Sequence, residues 1–176
     1  MSGAKVQPRA WIGAAFGGCA LALLLAVGVL ALYAYQSFQT FTLRARVAEA
    51  PSQLTALRTG ISTYAMQEIS DPTTGTFRLR GLPPSLPRTP GAPGAARQGW
   101  PASADPLWAE LGLYTSEGLY YAYEVTSDAS TNTVIVRAVG DLDGDGVLSD
   151  FSERGVLDPS TGEISWDAVS IVDELE

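Results

Sequence analysis

The chain has no histidine, one cysteine and one lysine in 176 residues. Lack of histidine removes an imidazole base and any Cys/His zinc centre. Cys19 alone rules out an internal disulfide, and Lys5 alone leaves the rest of the chain without a Schiff-base amine. Phosphate-cradling glycine loops, dinucleotide fingerprints and nucleophile elbows are missing as well. Carboxylate-only chemistry is what remains, and no carboxylate pair stands out, so the chain reads as a non-enzyme. Nucleic acid is a poor partner too, because a chain of net charge −8 offers few cations to phosphates.

Acids are absent from the first 46 residues, where Lys5, Arg9, Arg44 and Arg46 stand. Between Arg9 and Arg44 there is no charge of either sign. Residues 10–35, mostly Ala, Leu, Gly and Val, would form a helix about 39 Å long, against a hydrocarbon core of about 30 Å. This predicts a transmembrane helix embedded in a lipid bilayer, leaving it through Gln36, Ser37, Gln39 and Thr40. A cleaved secretory signal has a shorter apolar run ended by small residues. Phe16-Gly17-Gly18-Cys19 faintly resembles a lipoprotein box, but most of the apolar run follows the cysteine instead of preceding it. Lys5 and Arg9 favour a cytoplasmic N-terminus, residues 1–9, although Arg44 and Arg46 flank the far end. All 19 Asp and Glu follow residue 46 against seven Arg, a formal charge of −12. That acidic part is expected beyond an inner (plasma) membrane, in the periplasm or outside the cell.

Residues 36–70 read as an amphipathic continuation of the helix. Val47, Leu54 and Ile61 lie seven apart, and Ala50, Leu57 and Tyr64 repeat the spacing three residues later, which makes one apolar stripe. Arg46, Glu49, Gln53, Arg58 and Gln67 fall mostly off it. Pro51 should kink this helix, and Gly60 weakens it. The stripe suits packing on the chain's own domain; self-association is the sharper alternative. Asp71-Pro72-Thr73-Thr74-Gly75 is expected to end the helix.

Residues 71–106 form a predicted extended loop, since 81–106 hold seven of the eleven prolines. Arg78, Arg80, Arg88 and Arg97 lie there without a neighbouring acid in sequence, either solvated or facing an acidic partner or lipid headgroups. Residues 107–176 should build an antiparallel sheet of three to five strands. Trp108 and Leu111 are core anchors of a short helical turn. Strands are expected at 119–125 and 133–139, and a hairpin turns at Asp158-Pro159-Ser160-Thr161-Gly162. Trp100, Trp108 and Trp166 suit core or loop anchoring better than a binding platform. The predicted fold class is α+β: a long N-terminal helix, half transmembrane and half amphipathic, packed on a small antiparallel β-sheet.

Tyr35-Gln36-Ser37-Phe38, then Arg44-Ala45-Arg46-Val47-Ala48-Glu49-Ala50, then Leu54, Leu57 and Tyr64, resembles the type IV pilin and pseudopilin family. Trp108-Ala109-Glu110-Leu111-Gly112-Leu113 followed by Leu119-Tyr120-Tyr121-Ala122-Tyr123 is similar to the sheet region of that family. The likeness is one of layout over residues 11–150. It implies a structural or interaction component of a type IV pilus or type II secretion-like system, with pilin-like or secretion-machine subunits as partners. The chain departs from the pattern in lacking the Gly-Phe processing site, with Ala15-Phe16 in its place, and in having no carboxylate before Glu49. Processing and filament assembly are open at this point, and a permanently anchored monomer is the other expectation.

The sharpest local motif is Gly140-Asp141-Leu142-Asp143-Gly144-Asp145-Gly146-Val147-Leu148-Ser149-Asp150. Three Asp at alternate positions followed by Gly match the first part of a calcium loop. Asp141, Asp143 and Asp145, the Val147 carbonyl and Ser149 are candidate Ca²⁺ ligands, with Asp150 and Glu153 standing near the twelfth position, where Ser152 replaces the usual Glu. An acidic turn is the competing reading. A membrane-tethered extracytoplasmic binding module with a calcium-stabilised loop is therefore the alternative function.

Overall fold

The computed structural model describes residues 9–73, 75–91 and 93–173, with side chains from Leu23 onward. The expectations for residues 1–8, for the Arg9 side chain and for Phe16-Gly17-Gly18-Cys19 lie outside the described residues and side chains. The chain divides into two compact units between Thr42 and Leu43.

Helix α1 (Arg9–Val47) supplies the described part of the first unit and runs on into the second, which begins at Leu43. From Leu23 to Phe41 its side chains stand open: Leu23, Leu24, Val27, Leu30 and Leu32 are 54–70% exposed. The hydroxyls of Thr40 and Thr42 donate back to the carbonyls of Gln36 and Phe38, at 3.2 and 2.8 Å, which hides their polarity. Among the described residues one helix is long and apolar enough to cross a membrane.

Within the second unit α2 (Glu49–Ala65) follows, separated from α1 by Ala48. Pro51 explains the break. It lies in the first turn of α2, where its missing N–H costs nothing, and its ring conflicts with the carbonyl four residues back, that of Val47. The helix thus breaks at Val47–Glu49, ahead of the proline. Ala50, Leu54, Leu57, Ile61 and Tyr64 of the stripe are buried, as is Val47 before the break. The stripe packs against the chain's own sheet.

Here α2 ends at Ala65, not at residue 70. Strand β1 (Glu68–Ser70) pairs antiparallel with β2 (Phe77–Leu79) in a separate two-stranded sheet. In the turn of that hairpin Gly75 takes a φ of 69° and donates its N–H to the Asp71 carbonyl at 2.8 Å. Nor is 71–106 all loop. β3 (Leu86–Thr89) is an edge strand of the main sheet, the one sheet position that tolerates its Pro87. Helix α3 (Leu107–Glu110) seats Trp108, which is buried and meets Trp100 edge-on at 6.0 Å.

The main sheet has six strands, one more than the upper expectation. They are β3, β4 (Ala122–Asp128), β5 (Thr133–Gly140), β6 (Ser149–Leu157) and β7 (Ile164–Trp166) in spatial order. β8 (Ser170–Val172) pairs beside β7 on the same side of β6. All pairings are antiparallel. Tyr121, Tyr123, Val125, Val134, Val136, Ala138 and Phe151 line the buried face. On the opposite face Arg88, Glu124, Arg137 and Asp150 alternate in sign across β3, β4, β5 and β6. Glu124 joins Arg88 at 3.1 Å and Arg137 at 3.2 Å, and Arg137 Nε reaches Asp150 at 2.8 Å. Each such half-exposed pair contributes at most about 1 kcal/mol. The ladder chiefly fixes register, since a one-residue slip would bring these charges to the core.

Candidate metal-binding loop and its neighbouring charges

Residues 141–148 connect β5 to β6 and turn outward from the core. Leu142 is buried and pins the loop, so the Asp residues on either side of it face away. Asp141 Oδ1 accepts the Gly144 N–H at 2.8 Å, Asp143 Oδ1 that of Asp145 at 3.1 Å, and Asp145 Oδ1 that of Val147 at 2.7 Å. Gly144 and Gly146 adopt φ of 83° and 90°, which only glycine takes without strain. One carboxylate oxygen from each of Asp141, Asp143 and Asp145 lies within 4.8 Å of the others. Oxygens on opposite sides of a Ca²⁺ stand about 4.6–5.2 Å apart, so the triad has the span to share one hard divalent cation.

Of the other candidate ligands, Ser149, Asp150 and Glu153 are not brought to this cluster. Ser149 is fully buried, with its Oγ 3.3 Å from the Tyr121 hydroxyl and 3.4 Å from the Gly140 carbonyl. Asp150 points to the outer face and is bonded to Arg137. Glu153 is four residues along β6, opposite Val136, and faces the buried side. Strand pairing begins at Gly140 and Ser149, so an extended ladder carries residues 149–153 away from the turn where a helix would have curled them back. Val147 is half exposed and stays beside the cluster, its N–H donating to Asp145 Oδ1 at 2.7 Å. What remains is a three-carboxylate cluster, open to solvent, able to contribute charge and hard oxygens.

Two carboxylates that the sequence placed elsewhere are structural centres. Glu49, assigned to the polar side of the stripe, turns its Oε1 to the Tyr120 and Tyr121 amides, at 2.9 and 3.2 Å, and to the Tyr123 hydroxyl at 3.4 Å. It thereby fastens the first turn of α2 to the start of β4. Burial raises its pKa above the ordinary 4.5, against the opposing pull of these donors and of Arg97. Glu153 is buried with one oxygen 3.8 Å from Arg58 of α2, and that oxygen has no hydrogen bond. Burial raises its pKa too, and Arg58 offsets this only in part.

The arginines of the Pro-rich segment are largely paired. Arg80 reaches Glu110 and Gln67 and stacks 3.7 Å from the Tyr64 ring centre. Arg88 is held by Glu124, and Arg97 lies 3.6 Å from Glu117. Of those four, Arg78 alone has no carboxylate within 4.0 Å among the described residues. Arg46 Nη1 donates to the carbonyls of Ala95 and Leu142, both at 3.2 Å, and so ties the acidic loop to the last turn of α1. No sequence signal announces that contact, which spans 96 residues.

Compared with known proteins, the chain matches no family model, no curated protein and no solved structure.

Proposed function

We propose that this chain is a pilin-like or pseudopilin-like envelope protein: a non-enzymatic, membrane-anchored structural or interaction component of a type IV pilus or type II secretion-like system. The supporting observation is the succession of helices. An apolar α1, whose described side chains from Leu23 to Phe41 are exposed, is followed after one residue by α2, whose stripe packs on an antiparallel sheet. On this reading α1 spans an inner (plasma) membrane with a cytoplasmic N-terminus, and the sheet unit stands in the periplasm or outside the cell.

The outward side of α2 suits subunit contact. Thr55, Thr59 and Thr63 donate their hydroxyls to the carbonyls of Pro51, Thr55 and Thr59 at 2.8, 2.9 and 2.9 Å. Their methyl groups then form a low-polarity ridge that a second helix can approach closely. Thr59→Cys in a Cys19→Ala background, cross-linked in native membranes, tests this. A ladder of multimers is expected, together with an intact mass showing cleavage before the apolar run. A monomer of full-chain mass would reject filament membership.

The Asp141, Asp143 and Asp145 cluster favours a second reading, a membrane-tethered module whose loop is stiffened by Ca²⁺. An affinity of about 10⁻⁴–10⁻³ M, as in extracellular modules, is expected. Calorimetric titration of the full chain that detects no Ca²⁺ uptake at millimolar concentration would reject it.

A further inference from the structure

Three segments of the sheet unit meet around one cleft of about 310 Å³. β2 and its exit supply Arg78, Leu79 and Leu82. The turn between β4 and β5 supplies Asn132, and the end of β6 with the turn after it supplies Leu157 and Pro159. Backbone contacts set these walls. The Asn132 carbonyl accepts the Leu157 N–H at 2.8 Å, and the Gly81 N–H reaches the Ala65 carbonyl at 3.2 Å. Gly162 is buried so near β2 that a β-carbon there would stand 3.0 Å from Leu79 Cδ1.

The charge of this cleft runs against that of the chain. Net charge is −8, yet no Asp or Glu lines the cleft, and two arginines do. Arg80 is spent on Glu110, on Gln67 Oε1 at 2.7 Å and on the Tyr64 ring. Arg78 has no carboxylate within 4.0 Å among the described residues, and its guanidinium makes no hydrogen bond there. Asp128 and Asp158, near the cleft in sequence, are held in their own turns. Their Oδ1 atoms accept the N–H groups of Ser130 and Ser160 at 2.8 Å and the hydroxyls of the same serines at 2.6 Å. Glu163, next to Gly162, is exposed and does not line the cleft.

We propose that this cleft binds a small aliphatic carboxylate. One unpaired guanidinium offers a planar fork that matches the two oxygens of a carboxylate, and the Asn132 amide adds a further donor. A dianionic phosphate would call for a second free cation, which Arg80 does not provide. Leu79, Leu82, Leu157 and Pro159 give the rest of the ligand an aliphatic surround. All the lining residues belong to the sheet unit, so binding there is independent of how α1 is anchored and of any subunit contact.

The test is saturation-transfer NMR on the full chain in a non-ionic detergent, with isovalerate as the probe and neutral isovaleramide beside it. Isovalerate should bind saturably with a Kd of about 1–10 mM, the range open to a ligand of so few atoms, and isovaleramide much more weakly. Arg78→Gln should weaken isovalerate about tenfold or more, because it removes a charge-assisted pair. Arg78 is exposed, so its replacement leaves the core untouched. Arg78→Lys keeps the charge without the fork and should retain part of the affinity. Asn132→Gly, which a φ of 54° accommodates, should weaken binding about threefold. Uptake that never saturates, equal binding of acid and amide, displacement of isovalerate by equimolar inorganic phosphate, or indifference to Arg78→Gln would each overturn the site.

Discussion

Helices α1 and α2 follow one another with a single residue between them, yet they are built for different surroundings. Leu23, Leu24 and Leu25 of α1 are 63–70% exposed, whereas Leu54, Leu57 and Ile61 of α2 are fully buried. α1 is apolar on every side and has no stripe to present to a partner. α2 interleaves its apolar positions with Thr, Ser, Gln and Arg, so only one side can be dry. Composition therefore assigns the first helix to a lipid-like environment, and periodicity assigns the second to the sheet.

The largest effect that would break this contrast is Leu57→Ala. It should destabilise the sheet unit by about 2–5 kcal/mol in chemical unfolding, while Leu25→Ala in α1 leaves the same transition unmoved. Equal effects would erase the distinction between the helices. Next in size is Gly60→Ala. A β-carbon there would meet the Leu111 carbonyl oxygen at 2.0 Å, where backbone touches backbone, so a loss of about 1–3 kcal/mol is expected in the same measurement.

Calcium should act on the sheet unit and not on α1. With Kd near 1 mM, 10 mM Ca²⁺ would stabilise by about 1.4 kcal/mol. Asp143→Ala should abolish that gain in thermal melts and change little in chelator. An equal loss in chelator would mark the loop as an acidic turn.

The smallest effect concerns pH. Because the folded pKa of Glu153 is raised by burial, the carboxyl favours folding when protonated. That contribution is present in full below the unfolded value near 4.5 and is lost as pH rises through the raised folded value. Glu153→Gln should therefore be more stable than the parent at pH 7, with the difference fading toward pH 4. A constant difference across that range would assign the effect to packing.

Much of this fold is readable from local pattern. The seven-residue spacing of Val47, Leu54 and Ile61 marks the buried side of the amphipathic stretch, Trp108 and Leu111 mark anchors, and Asp158–Gly162 marks a hairpin whose Leu157 faces Ile164. β6 escapes such reading because Glu153 occupies a core position in its alternation of Ser149, Phe151, Gly155 and Leu157. The same strand misled the metal assignment, since Asp150 and Glu153 look like loop ligands until strand pairing sends their side chains to opposite faces. The β1–β2 hairpin is hidden because three-residue strands are too short to show a period.

Sequence alone determined that one helix is apolar enough to cross a membrane, that its successor has one dry side, and that three aspartates fall at calcium-loop spacing. These follow from composition and period, which need no distant partner. Tertiary structure decided where single charges ended: Glu49 on the Tyr120 and Tyr121 amides, Glu153 beside Arg58, and Arg46 and Arg97 each 5.0 Å from the centre of the Tyr120 ring. A charge is placed by whichever donors and acceptors folding brings within about 3–4 Å, and those come from residues dozens of positions away.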